Sequence, residues 1–93
     1  MARWTPDAID DVRLAWDYIA ADNETAADRV VERIAAAVGL LDEHPFMGRK
    51  GKEPGTREFV ASRTRYIVIY RVVADEPEIL RVLHGKRSWP PQG

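Results

Sequence analysis

Apolar residues recur at helical spacing through the first half of the chain and in short strand-like runs through the second. Ile9, Val12, Trp16 and Ile19 form one stripe with Ala8 and Ala15 beside them. Thr5-Pro6 in front of them fits an N-cap followed by proline at the first helical position, with Asp7, Asp10 and Asp11 near the positive end of the helix dipole. The pattern predicts a helix over about residues 6–21, ended by Asp22-Asn23. A second stripe, Ala27, Val30, Val31, Ile34, Val38 and Leu41, predicts a helix capped by Asn23 or Thr25. It ends before Pro45, because a residue preceding proline disfavours helical dihedrals. So short a break between two amphipathic helices predicts an antiparallel helical hairpin.

Residues 45–56 are rich in Gly, Pro and positive charge and read as a loop. Strands are predicted over about 57–62, 65–73 and 78–84, with turns at Arg63-Thr64 and from Ala74 to Pro77. The middle strand is apolar on both parities at its centre (Tyr66, Ile67, Val68, Ile69), as an interior strand should be. With Ala2 to Trp4 as a short extended lead, the order is β-α-α-β-β-β. The expected fold is α+β: a helical hairpin packed on one face of a small, mainly antiparallel sheet, with the first strand at an edge. Periodicity leaves the hairpin register open, and with it the face that His84 shares.

The chain has 93 residues, room for one domain over 1–93. It contains no cysteine, which removes disulfides and thiolate zinc sites from consideration. Its two histidines, His44 and His84, are far apart in sequence, so no metal site is expected, and no cofactor motif is present. The N-terminus lacks an apolar signal core and no stretch is long enough to span a membrane, so a soluble cytoplasmic protein is expected. The net charge of −1 conceals a division: residues 1–44 carry −6 and residues 45–93 carry +5. Such a chain can offer one basic face, or simply two solvated faces of opposite sign.

The candidate chemistry gathers in the last third, where a hairpin runs into a tail holding His84, Lys86, Arg87 and Trp89. Histidine suits proton transfer near neutral pH, and arginine holds phosphate or carboxylate at two points. RNA cleavage through the 2′-hydroxyl could draw on His84 with Arg65, Arg57 or Lys86. The plainer alternative is a strand-end histidine packed by its neighbours. Arg and Trp are frequent interface anchors, so Arg65, His84, Lys86, Arg87 and Trp89 form a candidate target-binding set. Arg49, Lys50 and Lys52 interleave with glycines and could track phosphates, although no Walker-type Gly-Lys-Ser/Thr is present. Some of Arg57, Arg65, Arg71 and Arg81 are expected to be structural, covering the sheet or pairing with Glu58 and Glu78. Leu14 and Tyr18, four apart, and Leu40 lie off the core stripes and are candidate contacts for a partner helix or strand.

The ordered series Trp4-Thr-Pro-Asp-Ala-Ile-Asp-Asp, Trp16-Asp-Tyr-Ile-Ala, Ala27-Asp-Arg, His44-Pro-Phe-Met-Gly-Arg, Pro54-Gly-Thr-Arg-Glu-Phe, Tyr66-Ile-Val-Ile-Tyr-Arg and Arg81-Val-Leu-His-Gly-Lys-Arg-Ser-Trp-Pro resembles the RelE/ParE superfamily of type II toxins. It is most similar to the ParE, or plasmid-stabilisation, branch. The resemblance implies a cytosolic toxin neutralised by a cognate ParD/RelB-like antitoxin that wraps around it in a hetero-oligomeric complex. It implies either DNA gyrase as the target or ribosome-dependent cleavage of messenger RNA; a degenerate member that only binds its antitoxin is a third possibility. RelE-type nucleases tend to carry a catalytic Tyr or His at or near the extreme C-terminus, whereas no tyrosine follows Tyr70 here and the chain closes with Trp89-Pro-Pro-Gln-Gly. The His84-Gly-Lys-Arg tail is ParE-like, which favours binding over cutting.

Overall fold

A computed structural model describes residues 1–85. Its elements are β1 (Arg3–Trp4), α1 (Pro6–Ala20), α2 (Glu24–Glu43), β2 (Arg49–Lys50), β3 (Arg57–Val60), β4 (Tyr66–Val73) and β5 (Glu76–His84). The strands form one sheet in the order β1-β5-β4-β3-β2. The helices cover one face, giving the α+β architecture expected.

Both helix starts are fixed by local hydrogen bonds. Thr5 Oγ1 accepts from the Ala8 N–H at 3.1 Å with Pro6 following it, and the same hydroxyl donates to Leu80 O at 2.9 Å. Asn23, not Thr25, caps α2: its Oδ1 accepts from the Ala26 N–H at 3.0 Å. Trp16 Nε1 donates to Asp28 Oδ1 at 2.9 Å, joining residues equally distant from the break and so fixing the helices antiparallel.

The core lies between helices and sheet. Ala8, Ile34, Ala37, Val38 and Leu41 meet Val68, Tyr70, Ile79 and Val82. Each large aliphatic side chain among them contributes about 1.5–3 kcal/mol by leaving water. The buried face of α1 is rotated from the expected stripe: Ile9 is 41% exposed, while Ala8, Asp11 and Ala15 face inward. The cause is electrostatic. Asp11 is drawn in by Arg81, whose Nε and Nη2 donate to its two oxygens at 2.7 and 3.0 Å, and by the Val82 N–H at 2.9 Å. Where β1 stops, this carboxylate takes the place of a neighbouring strand on β5.

The sheet is mainly antiparallel, as expected; its parallel pair joins β1, the expected edge strand, to β5, with Arg3 opposite Glu78 and Trp4 opposite Ile79. Other expectations change. The expected loop 45–56 contains β2, a two-residue edge strand with Arg49 opposite Glu58 and Lys50 opposite Arg57. Two residues carry no readable alternation, so the pattern could not show it. The β4–β5 turn is only Ala74-Asp75, both at positive φ (52° and 63°), and Pro77 lies inside β5 opposite Val72. Positive φ at both central residues is the tight hairpin geometry whose twist suits the flanking strands. A register shift between Ile69 and Tyr70 pairs them with Arg81 and Ile79, leaving Leu80 as the extra residue. Arg81 therefore pairs with Asp11 rather than Glu58 or Glu78. Arg71 and Arg3 meet Glu78, and Arg49 meets Glu58.

Candidate functional site

The register places His84 opposite Tyr66, so both share the helix-covered face, and their rings meet edge to face with centroids 5.5 Å apart. The preceding turn is held firmly. Ala61 N–H donates to Tyr66 O, Thr64 Oγ1 donates to Ala61 O and accepts from the Tyr66 N–H, and Arg33 of α2 donates to Arg63 O at 3.2 Å. Gly85 N–H donates to Arg65 O at 2.7 Å, closing β5 against the turn. Arg65 and His84 are thus brought together. With Val60, Ile67 and Gly85 they line an open depression of about 280 Å³. Val60, Ile67 and Leu83 stand directly opposite one another across three strands, with Val60 exposed, Ile67 half-buried and Leu83 buried.

Arg57 does not join them. It pairs with Tyr70, four residues along β4 from Tyr66, a separation of about 13 Å at strand rise. Its Nη1 donates to Phe46 O at 3.1 Å and Gly48 O at 2.8 Å, and its guanidinium lies 5.2 Å from the Phe46 ring centroid. Among the described residues lining the depression, the proton-transfer set expected for RNA cleavage reduces to His84 and Arg65. Lys86, Arg87 and Trp89 lie outside the described residues.

Leu14, Tyr18 and Leu40 are 62%, 81% and 46% exposed, as a contact surface requires. They occupy two flanks. Trp16 marks the side of α1 that faces α2, and Leu14 and Tyr18 lie on the other side, along the turns that follow Asp11. Leu40 lines a groove between α2 and β3 with Arg33, Ala36, Ala37, Phe59 and Ser62.

A second surface escaped the sequence reading. The loop after α2 is tied down at each polar group it turns inward: Tyr70 Oη donates to Pro45 O at 2.7 Å and accepts from the Gly48 N–H at 2.9 Å, while Arg57 takes the carbonyls of Phe46 and Gly48. Burial pushes the Tyr70 phenol pKa up, against the opposing pull of the Gly48 N–H and Arg57. Gly48 is required there, since a Cβ would stand 2.5 Å from Tyr70 Oη and 3.0 Å from Glu58 O. A loop fixed this well nonetheless leaves Phe46 59% and Met47 42% exposed. The available signal was an aromatic and a methionine between Pro45 and a basic run.

No helix among the described residues is long and apolar enough to cross a membrane. No group of three or more His, Asp or Glu among them could hold a metal ion.

Two helices laid on one face of a five-stranded sheet, with an arginine–histidine end and apolar flanks, define a small α+β domain. A family profile described as ParE toxin of the type II toxin–antitoxin system, parDE, matches residues 2–89. The chain belongs to that ParE toxin family. It is 43% identical over 88 residues to the toxin-designated protein Y4kP of Sinorhizobium fredii, covering 95% of this chain and 91% of the relative. Among solved structures, a chromosomal ParDE toxin–antitoxin system from P. aeruginosa superposes with a TM-score of 0.78 at 27% identity, over 89% of this chain and 92% of that one.

Proposed function

We propose that this type II toxin acts in the cytoplasm by binding DNA gyrase and stalling it on DNA, and that a cognate antitoxin neutralises it. The carrying observation is the end of the sheet. Arg65 and His84 sit there beside exposed Val60 and half-buried Ile67, a surface suited to gripping a protein rather than to cutting RNA. Cleavage needs a base, an acid and a cation around one phosphate. The described residues lining the depression supply one imidazole and one guanidinium, and Arg57 is engaged elsewhere. Similarity to the ParDE structure supports the antitoxin partner, and Leu14, Tyr18 and Leu40 are its proposed contacts. An antitoxin segment reaching all three would pass around both flanks of the helical hairpin. Residues 1–93 are proposed to act as one toxin domain, with Lys86, Arg87 and Trp89 extending the target-binding surface.

The test is purified toxin in a gyrase supercoiling assay with detection of trapped cleaved DNA, beside mapping of transcript ends after induction. Blocked supercoiling with intact transcripts is expected. Codon-periodic RNA cuts with unaffected gyrase would overturn the reading in favour of a ribosome-dependent endoribonuclease.

A further inference from the structure

The edge hairpin β2–β3 distributes its charge unevenly between its two faces. Residues directly opposite across an antiparallel pair share a face. Arg49 therefore stands with Glu58, and the two form an ion pair at 3.0 Å. Lys50 stands with Arg57, two cations on one face. Like charges directly opposite destabilise a sheet, and among the described residues no carboxylate pairs with either of these two. One face is neutralised and the other is left doubly positive.

The doubly positive face also carries the exposed aromatic. Arg57 shares it with Tyr70, over which the 45–48 loop is tied, and the guanidinium covers one side of the Phe46 ring. Arg57 Nη1 is taken by two carbonyls, which leaves Nε and Nη2 to donate elsewhere. A flat ring held by a tethered loop beside the Arg57 guanidinium, with Lys50 opposite that arginine on the strand pair and no acid paired with either cation, suits a ligand that carries both an anionic group and a flat face. We infer that Phe46, Lys50 and Arg57 form a binding site for a single-stranded phosphodiester chain: an unstacked base lies on Phe46 while its phosphate meets Lys50 and Arg57. Stacking on aromatic rings combined with backbone neutralisation is the general mode of sequence-tolerant single-strand binding. The site lies about 13 Å along the sheet from the Arg65–His84 depression and does not depend on which target that depression engages.

The test is fluorescence anisotropy of the purified full chain with labelled oligonucleotides at low salt, in three arms: single-stranded DNA, single-stranded RNA and duplex DNA. Binding to single strands with a log–log salt slope of about −0.7 is expected for one neutralised phosphate. A preference between the first two arms identifies the natural strand. Lys50→Glu is expected to weaken binding about tenfold or more and to flatten the slope. Phe46→Ala is expected to weaken it about tenfold with the slope unchanged. Arg49→Ala, on the neutralised face, should bind as the parent does, and circular dichroism confirms that each variant is folded. Absence of binding, equal binding by Lys50→Glu, or tighter binding of duplex than of single strands would overturn the assignment. Competition by poly-glutamate as effective as by oligonucleotide would overturn it in favour of an acidic protein segment. Loss of gyrase inhibition with oligonucleotide binding intact, or the reverse, separates this site from the proposed target surface.

Discussion

Asp11 and Arg81, 70 residues apart, are joined at two points, and one of the same carboxylate oxygens also accepts the Val82 N–H. The contact fixes which face of α1 turns inward and seals the edge of β5 beyond β1. The guanidinium responds to the carboxylate: hydrogen bonding with Asp11 raises the Arg81 pKa further above its already high value. Asp11→Asn is expected to cost about 2–4 kcal/mol, because a part-buried guanidinium loses its counter-charge. Asp11→Leu combined with Arg81→Met should recover only part of the loss from Asp11→Leu alone, since Val82 N–H keeps no acceptor. Urea denaturation of the set checks both.

Tyr70 links the centre of the sheet to the loop after α2. Tyr70→Phe leaves the Pro45 carbonyl and the Gly48 N–H without their partner, at an expected cost of about 1–3 kcal/mol. Hydrogen exchange at the Gly48 amide should accelerate more than exchange in α1, which distinguishes local release from global loosening.

The same phenol predicts an alkaline signature. Burial raises its folded-state pKa above the ordinary value of 10.0. Below the unfolded pKa both states hold the proton and the contribution is level. Above it the unfolded chain releases the proton first, so stability falls until pH passes the folded pKa. Tyr70→Phe should be less stable near neutrality and should lack this part of the decline, as urea midpoints across pH 8 to 11 would show.

Gly48→Ala probes the same packing from the other side. Its methyl would meet Tyr70 Oη and the Glu58 carbonyl, one of them rigid backbone. Overpacking of this kind costs about 1–3 kcal/mol. Combining it with Tyr70→Phe should be clearly less than additive, because both variants break one contact.

The two flanks of the helical hairpin give a genetic prediction. Tyr18→Glu and Leu40→Glu, both at exposed positions, should leave the toxin folded and active while weakening antitoxin binding about tenfold or more each. Co-expression rescue and calorimetric titration measure this. Full rescue of both variants would remove these positions from the antitoxin surface.

Much of the architecture was legible because it rests on local rules. Thr5-Pro6, Asn23 and Pro45 bracket the helices through dihedral limits and orphan N–H groups that any sequence displays. The centre of β4 announced itself by being apolar on both parities. What escaped depends on distant partners. No helical stripe foretells that Asp11 will be buried, since only Arg81 and Val82 make that burial favourable. The same holds for β2, too short for periodicity, and for the bulge at Leu80, which decides which arginine meets which acid. At the candidate site, the RNA-cleavage alternative grouped His84 with Arg65, Arg57 or Lys86, but register carries Arg57 four residues away. There it joins Phe46 and Lys50, a grouping that only strand pairing creates.

The pairing of the first strand with the last also has a consequence in time. β1 and the start of α1 are synthesised first, yet Thr5 and Asp11 find their acceptor and donor on Leu80 and Val82. A nascent chain halted at residue 75 would hold both helices and β4 but no strand to pair with β1, and no Ile79 or Val82 to fill the core. Folding therefore waits on the final strand, and a ribosome part-way through the message carries a toxin that cannot yet take its shape.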